Sequence, residues 1–343
     1  MRDISLVLVG FGNVGQALAQ LLLRKESRLK EDFGLKFKIT GIATGRHGMA
    51  IDETGIDIQK ALKLAKAGQS LSSLSKVPSP ASIVDFIQQC PGNVMFENSP
   101  VNHHTGQPAI DHCKAAFTKG MHVVTANKGT VVHGYRELLE LASVKGKRFL
   151  FESTVMDGAP IFSLFRCPLP VIELKGFHGI LNSCTNLLLE LMEQGKTFDE
   201  AVTYAQSIGI TETDPSADID GWDAAIKVAA LSTVLMGIPL TPVQVDRTGI
   251  RAITPLQIDD AKKAGKRWKL VCTATRDGDS IHARVAPEQV SPLSPLYGIT
   301  GTSSYVQFET DVLPGLGIVE SNPGPDTTAY GLLADFINIL RGQ

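Results

Sequence analysis

Ile4-Ser5-Leu6-Val7-Leu8-Val9-Gly10-Phe11-Gly12-Asn13-Val14-Gly15 is the stretch on which the fold turns. Its first half, ISLVLV, is a short continuous apolar run, the pattern of a strand buried on both faces. Its second half is a GxGxxG turn, and from Gln16 to Arg24 the residues Ala17, Leu18, Leu21 and Leu22 recur at helical spacing. The motif alone is weak, and its place between a strand and a helix gives it physical meaning. Gly10 permits the tight turn, Gly12 lets backbone approach a pyrophosphate, and Gly15 allows the helix to pack closely on the strand. The helix start offers unpaired N–H groups and the positive end of its dipole to phosphate. Gly10, Phe11, Gly12, Asn13, Val14 and Gly15 are therefore the expected dinucleotide-binding residues.

Working outward, Lys38–Ala43 reads as the second strand and runs into Thr44-Gly45-Arg46-His47. An NAD-preferring site usually places a carboxylate here for the ribose 2′-hydroxyl; this chain has Arg46 instead, which suits a 2′-phosphate and hence NADP(H), with NAD(H) as the lesser partner. Asn93–Asn98 and Met121–Thr125 read as further strands, Ile110–Lys119 and Arg136–Ala142 as helices, and Arg148–Glu152 as another strand. The alternation predicts a doubly wound, Rossmann-type α/β domain over residues 1–150, with about six strands. Ligands of such sheets bind beyond the carboxyl ends of the strands, where Ser99 and Lys128 fall.

At Glu152 the texture changes. A loop (residues 153–160), the strand Val171–Asn182, the helices Thr185–Gln194 and Phe198–Ser207, a hairpin turning at Arg276-Asp277-Gly278-Asp279, and a strand Ser304–Glu309 predict an α+β domain over 151–319. Its sheet is of a kind that can pair across a dimer axis. Residues 320–343, with a helix Thr328–Leu340, are expected to return to the nucleotide domain. Within the second half, Ala205–Lys227 gathers Glu212, Asp214, Asp218, Asp220 and Asp223 ahead of an apolar helix face made by Ile219, Trp222, Ile226, Ala229 and Ala230. Asp223 and Lys227 are neighbours on that face. A solvated ion pair is the plain reading of such spacing, and Asp218 and Asp220 are expected to cap the first turn.

Composition limits the alternatives. A chain of 343 residues suggests about two domains. The formal charge of −2, without a Lys/Arg run, argues against a nucleic-acid partner. Five scattered cysteines, none in a CxxC pair, argue against a disulfide framework or zinc site and fit a reducing cytosol. No apolar run approaches the ~18 residues of a membrane span, and no cleavage-site pattern follows the first strand. A cytoplasmic location is expected.

With these residues in view, the chain resembles homoserine dehydrogenase over nearly its whole length. The family signature is matched at Ala205, Gly209, Asp214-Pro215, Asp218-Ile219, Gly221, Asp223 and Lys227, and GFGNVG, TANKG, FESTV and ILNSCTN follow in the family's order. The length resembles the monofunctional form without an ACT domain. The resemblance implies NAD(P)-linked interconversion of L-homoserine and L-aspartate 4-semialdehyde, on the route to threonine, methionine and isoleucine, by a homodimer. It implies Lys227 as acid/base, Lys128 between nicotinamide and substrate, Glu212 and Asp223 on the substrate ammonium, and Ser99 and Gly324 in the cofactor site. It also implies a sodium-type cation on Glu152, Val155, Asp157 and Ala159. Two stretches depart from the family pattern: Met156-Asp157 in a normally glycine-rich loop, and Asn322-Pro323-Gly324-Pro325-Asp326 in place of a Gly-Ala-Gly run. Alternatives are another amino-acid or semialdehyde dehydrogenase, for which Cys184 is the nearest candidate thiolate, and a catalytically silent dinucleotide sensor.

Overall fold

The computed structural model describes residues 1–211 and 214–342. The chain divides into two compact units, Met1–Ile161 with Gly324–Gln343, and Phe162–Pro323.

The first unit is built on a six-stranded sheet of β1 (Arg2–Val9), β2 (Leu35–Ala43), β3 (Met49–Ile51), β4 (Val94–Glu97), β5 (His122–Thr125) and β6 (Phe149–Leu150), in the order β3-β2-β1-β4-β5-β6. All neighbours are parallel except β2 and β3. β3 is too short to show in the sequence pattern, and its reversal makes the sheet mixed at one edge. Leu6, Leu8, Ile39, Ile42 and Phe96 are fully or almost fully buried, as parallel strands covered on both faces must be. Helices Asn13–Phe33 and Pro325–Arg341 pack on this sheet's core; Phe336 of the second meets Phe96 edge-on at 6.0 Å. Burying Leu332, Leu333, Phe336 and Ile337 at roughly 1.5–3 kcal/mol each anchors the C-terminal helix.

Two expectations are corrected here. The helix expected over Arg136–Ala142 begins much earlier and spans Lys128–Val144, because Asn127 caps it: its side chain accepts the Gly129 N–H at 3.0 Å. The strand expected over Arg148–Glu152 stops at Leu150, and Glu152–Thr154 form a turn of 3-10 helix.

The second unit carries a sheet of β7 (Leu174–Ile180), β8 (Asp246–Arg247), β9 (Arg267–Asp277), β10 (Ser280–Val290), β11 (Ser304–Thr310) and β12 (Leu316–Glu320), in the order β12-β11-β7-β9-β10-β8. All pairings are antiparallel except β10 with β8. The predicted hairpin is present, with Gly278 at φ +58° in its two-residue loop. β12 was hidden because its alternation is half-buried and interrupted by glycine. Helices Ser183–Glu193 and Trp222–Leu235 pack on this sheet. The single apolar helix expected from Ile219 onward is instead two, Ser216–Ile219 and Trp222–Leu235, parted by Gly221 at φ +79°.

Candidate active site

At the carboxyl edge of the first sheet, Gly10 adopts φ +92°, its N–H donates to Ala43 at 2.9 Å, and the Asn98 N–H donates to Val9 at 2.7 Å. A Cβ at Gly10 would lie 2.3 Å from the Asn98 carbonyl oxygen, and one at Gly15 would lie 2.4 Å from that of Gly10. Both glycines are thus demanded by backbone approach. At Gly12 a Cβ would meet nothing within 4 Å. Gly12 is the N-cap of a 21-residue helix whose first turn has no side-chain cap and no acidic residue. Open space beside uncapped N–H groups suits a phosphate. Phe11 is buried, Asn13 is exposed and Val14 is half-buried.

Arg46 is exposed on the loop after β2. That loop is held by Thr44, whose hydroxyl accepts the His47 N–H at 2.6 Å and whose N–H donates to Gly48 at 3.1 Å. Ser99 lies two residues beyond β4, and Lys128 is the first residue of its helix, half-buried. Asn127 joins these two loops by donating its side-chain amide to the Ser99 carbonyl at 3.0 Å. Gly324, in extended conformation, is the N-cap of Pro325–Arg341; its N–H donates to the Thr327 hydroxyl at 2.8 Å.

In the loop expected to hold a cation, the buried Glu152 donates its N–H to Asp335 at 2.7 Å, and Val155 is buried. Asp157 sits at φ +40°, and its carboxylate accepts from the Thr327 hydroxyl at 3.0 Å. The Ala159 N–H donates to Met156 at 2.8 Å. The left-handed geometry that a glycine would supply is adopted by Asp157, a residue type that tolerates it. Among the described residues no cluster of three or more His, Cys, Asp or Glu side chains is placed to hold a metal.

In the second unit, Asn182 ends the segment after β7 and organises the acidic stretch. Its Oδ1 caps helix Ser183–Glu193 by accepting the Thr185 N–H at 2.8 Å, while its Nδ2 donates to Asp218 at 2.7 Å and to Asp223 at 3.0 Å. Lys227 Nζ donates to the Leu181 carbonyl at 2.6 Å and lies 3.2 Å from Asp223 Oδ2. The Asp223 and Lys227 side chains are only 16% and 14% exposed, so this is not a solvated surface pair. Asp218 and Asp220 do not cap the helix as expected. Asp214 accepts the Ser216 N–H at 3.0 Å, Asp218 is drawn beside Asp223, and Asp220 pairs with Arg251 at 3.1 Å. The sequence pattern missed Asn182 and the Leu181 carbonyl because their partners lie about forty residues away in the chain. Glu212 lies outside the described residues. Burial, and next the Asp218 charge, push the Cys184 thiol up to about 12, which disfavours the thiolate that nucleophilic attack needs.

Comparison with known proteins gives the family and the fold. A family model described as "Homoserine dehydrogenase, NAD binding domain" matches residues 10–152, and one described as "Homoserine dehydrogenase" matches 160–337. A relative named NAD(+)-dependent homoserine dehydrogenase, from Pseudomonas canavaninivorans, is 35% identical over 99% of this chain and 97% of its own length. A crystal structure described as a putative homoserine dehydrogenase from Archaeoglobus fulgidus superposes with TM-score 0.86 at 28% identity, covering 98% of this chain and 99% of the other. A hyperthermophilic archaeal homoserine dehydrogenase in complex with NADPH gives TM-score 0.83 at 28% identity, covering 100% and 99%. The two matched regions take in both the glycine turn and the Asn182-centred carboxylates, and the chain belongs to the homoserine dehydrogenase family.

Proposed function

We propose that the protein reduces L-aspartate 4-semialdehyde to L-homoserine, reversibly, with NADP(H) preferred and NAD(H) accepted. The observation that carries this reading is the Lys227 ammonium held between the Leu181 carbonyl and Asp223, beside a carboxylate pair bridged by Asn182. The bound dinucleotide supplies or accepts the hydride at the carbon bearing the oxygen. In reduction the carbonyl oxygen becomes an alkoxide and must take a proton; Lys227 donates it, and takes it back in the reverse direction. Asp223 and Glu212 accept charge-assisted hydrogen bonds from the substrate ammonium. Lys128 is assigned to the nicotinamide end of the dinucleotide, with Ser99 and Gly324 among the cofactor contacts. Gly10–Gly15 take the pyrophosphate.

Arg46, in a loop without a carboxylate, supports the 2′-phosphate assignment. A sodium-type cation is assigned to the carbonyls of Glu152, Val155, Asp157 and Ala159, supported by the left-handed Asp157. Residues 1–150 are proposed as the nucleotide domain, 151–319 as the substrate and dimerisation domain of a cytoplasmic homodimer, and 320–343 as a segment belonging with the nucleotide domain.

The test follows NADPH and NADH formation with L-homoserine. Wild-type turnover faster with NADP than with NAD, and Lys227→Ala lowering kcat by at least about a hundredfold with NADPH affinity kept, are the expected results. Full activity of Lys227→Ala removes the proton-donor assignment.

A further inference from the structure

Glu97, the last residue of β4, is fully buried. Its Oε1 accepts the Ser99 N–H at 3.3 Å and the Ser99 hydroxyl, and lies 3.3 Å from Nδ1 of the buried His112. Its Oε2 is buried with no hydrogen-bond partner among the described residues. Its main-chain carbonyl accepts the Thr125 hydroxyl at 2.8 Å and the Ala126 N–H at 3.3 Å. The Thr125 hydroxyl in turn accepts the Asn127 N–H at 2.9 Å. From Ser99 the chain of bonds runs through its carbonyl to the Asn127 amide, and from Asn127 to the Gly129 N–H at the start of the Lys128 helix.

A buried carboxylate with one oxygen unsatisfied costs stability, and an apolar side chain of similar shape would not. Stability therefore does not account for it. What the carboxylate does provide is a definite state for Ser99. A carboxylate only accepts, so the Ser99 hydroxyl spends its proton on Glu97 and presents its oxygen as an acceptor. An acceptor suits a carboxamide N–H or a ribose hydroxyl and repels a phosphate oxygen. We infer that Glu97 is a positioning residue for the cofactor site: it fixes Ser99 as a hydrogen-bond acceptor for the nicotinamide or its ribose. The inference rests on the proposed assignment of Ser99 to the cofactor.

The experiment measures dissociation constants of NADPH and of 2′,5′-ADP, which carries neither nicotinamide nor its ribose, for Glu97→Gln, Ser99→Ala and the double variant. Glu97→Gln replaces a charged acceptor by an amide whose NH2 can donate to the Ser99 oxygen and free the hydroxyl proton, which predicts about tenfold weaker NADPH binding, with 2′,5′-ADP affinity unchanged. The double variant is expected to be no weaker than Ser99→Ala alone, because Glu97 acts through Ser99. Glu97→Asp, which keeps the charge but draws it back from Ser99, serves if Glu97→Gln does not fold, with the same selective loss expected. Equal weakening of both ligands, or additive losses in the double variant, overturns the inference. NADPH affinity unchanged in Ser99→Ala removes the Ser99 assignment itself, and the inference with it, while leaving the Lys227 reading to its own test.

Discussion

Asn182 uses both ends of one amide: Oδ1 holds a helix start at 2.8 Å, and Nδ2 holds two carboxylates within 3.0 Å. Like charges that close repel strongly at low dielectric, and the shared donor lets Asp218 and Asp223 sit side by side near Lys227. Asn182→Asp keeps the cap oxygen but replaces the donor with a third carboxylate. The expected outcome is a folded protein whose kcat/KM for homoserine falls by on the order of a hundredfold, while NADPH affinity is retained. Circular dichroism and steady-state kinetics check the two halves of that statement. Of this group, the closeness of Asp223 and Lys227 was legible from their helical spacing. Asn182 was visible only as part of ILNSCTN, since nothing in its local pattern says which carboxylates it will reach.

At the scale of elements, Gly221 decides the local course of the chain. The apolar periodicity from Ile219 to Ala230 suits one helix, yet Gly221 at φ +79° stops the first and starts the second. The junction is clamped: the Arg247 guanidinium lies 3.7 Å over the Trp222 ring and donates to the Asp220 carbonyl. A left-handed residue with a side chain costs roughly 1–2 kcal/mol, and a Cβ here would come within 3.3 Å of Arg247. Gly221→Ala is therefore expected to lower stability by about that amount and to tilt the helix that carries Asp223 and Lys227, reducing kcat more than NADPH binding. A denaturant titration paired with kinetics reads both. The start of the Lys128 helix is likewise marked by one capping asparagine rather than by an apolar stripe, so helical periodicity does not reveal it.

At the scale of the molecule, one buried charge makes a claim about stability. Lys269 is 2% exposed, with its ammonium donating to Asn186 at 2.8 Å and to the Ile299 carbonyl at 2.6 Å. Burial lowers it from 10.5 to about 8. Because the folded value lies below the unfolded one, the unfolded chain binds more protons between about 8 and 10.5, and stability contributed by this site rises with pH across that window. The rise is on the order of 3 kcal/mol. Lys269→Met is expected to lose it, so the stability difference between wild type and variant should change in favour of wild type from pH 8 to 10.5. Denaturant unfolding of both proteins over that range measures it; parallel curves contradict the assignment.

The sequence by itself determined the succession of the longer strands β1, β2, β4 and β5 and the glycine turn, because continuous apolar runs and GxGxxG are local signals. It also determined the antiparallel hairpin of the second unit and the adjacency of Asp223 to Lys227. The tertiary structure alone decided the reversed β3, the break at Gly221, and the joining of Leu181 and Asn182 to Asp218, Asp223 and Lys227. It alone placed Glu97 beneath Ser99. The contacts of Leu181 and Asn182 depend on which distant groups meet, and a hydrogen bond across some forty residues leaves no periodicity for the sequence to display. The other three rest on a very short strand, one backbone torsion and one side-chain contact, none of which makes an apolar pattern.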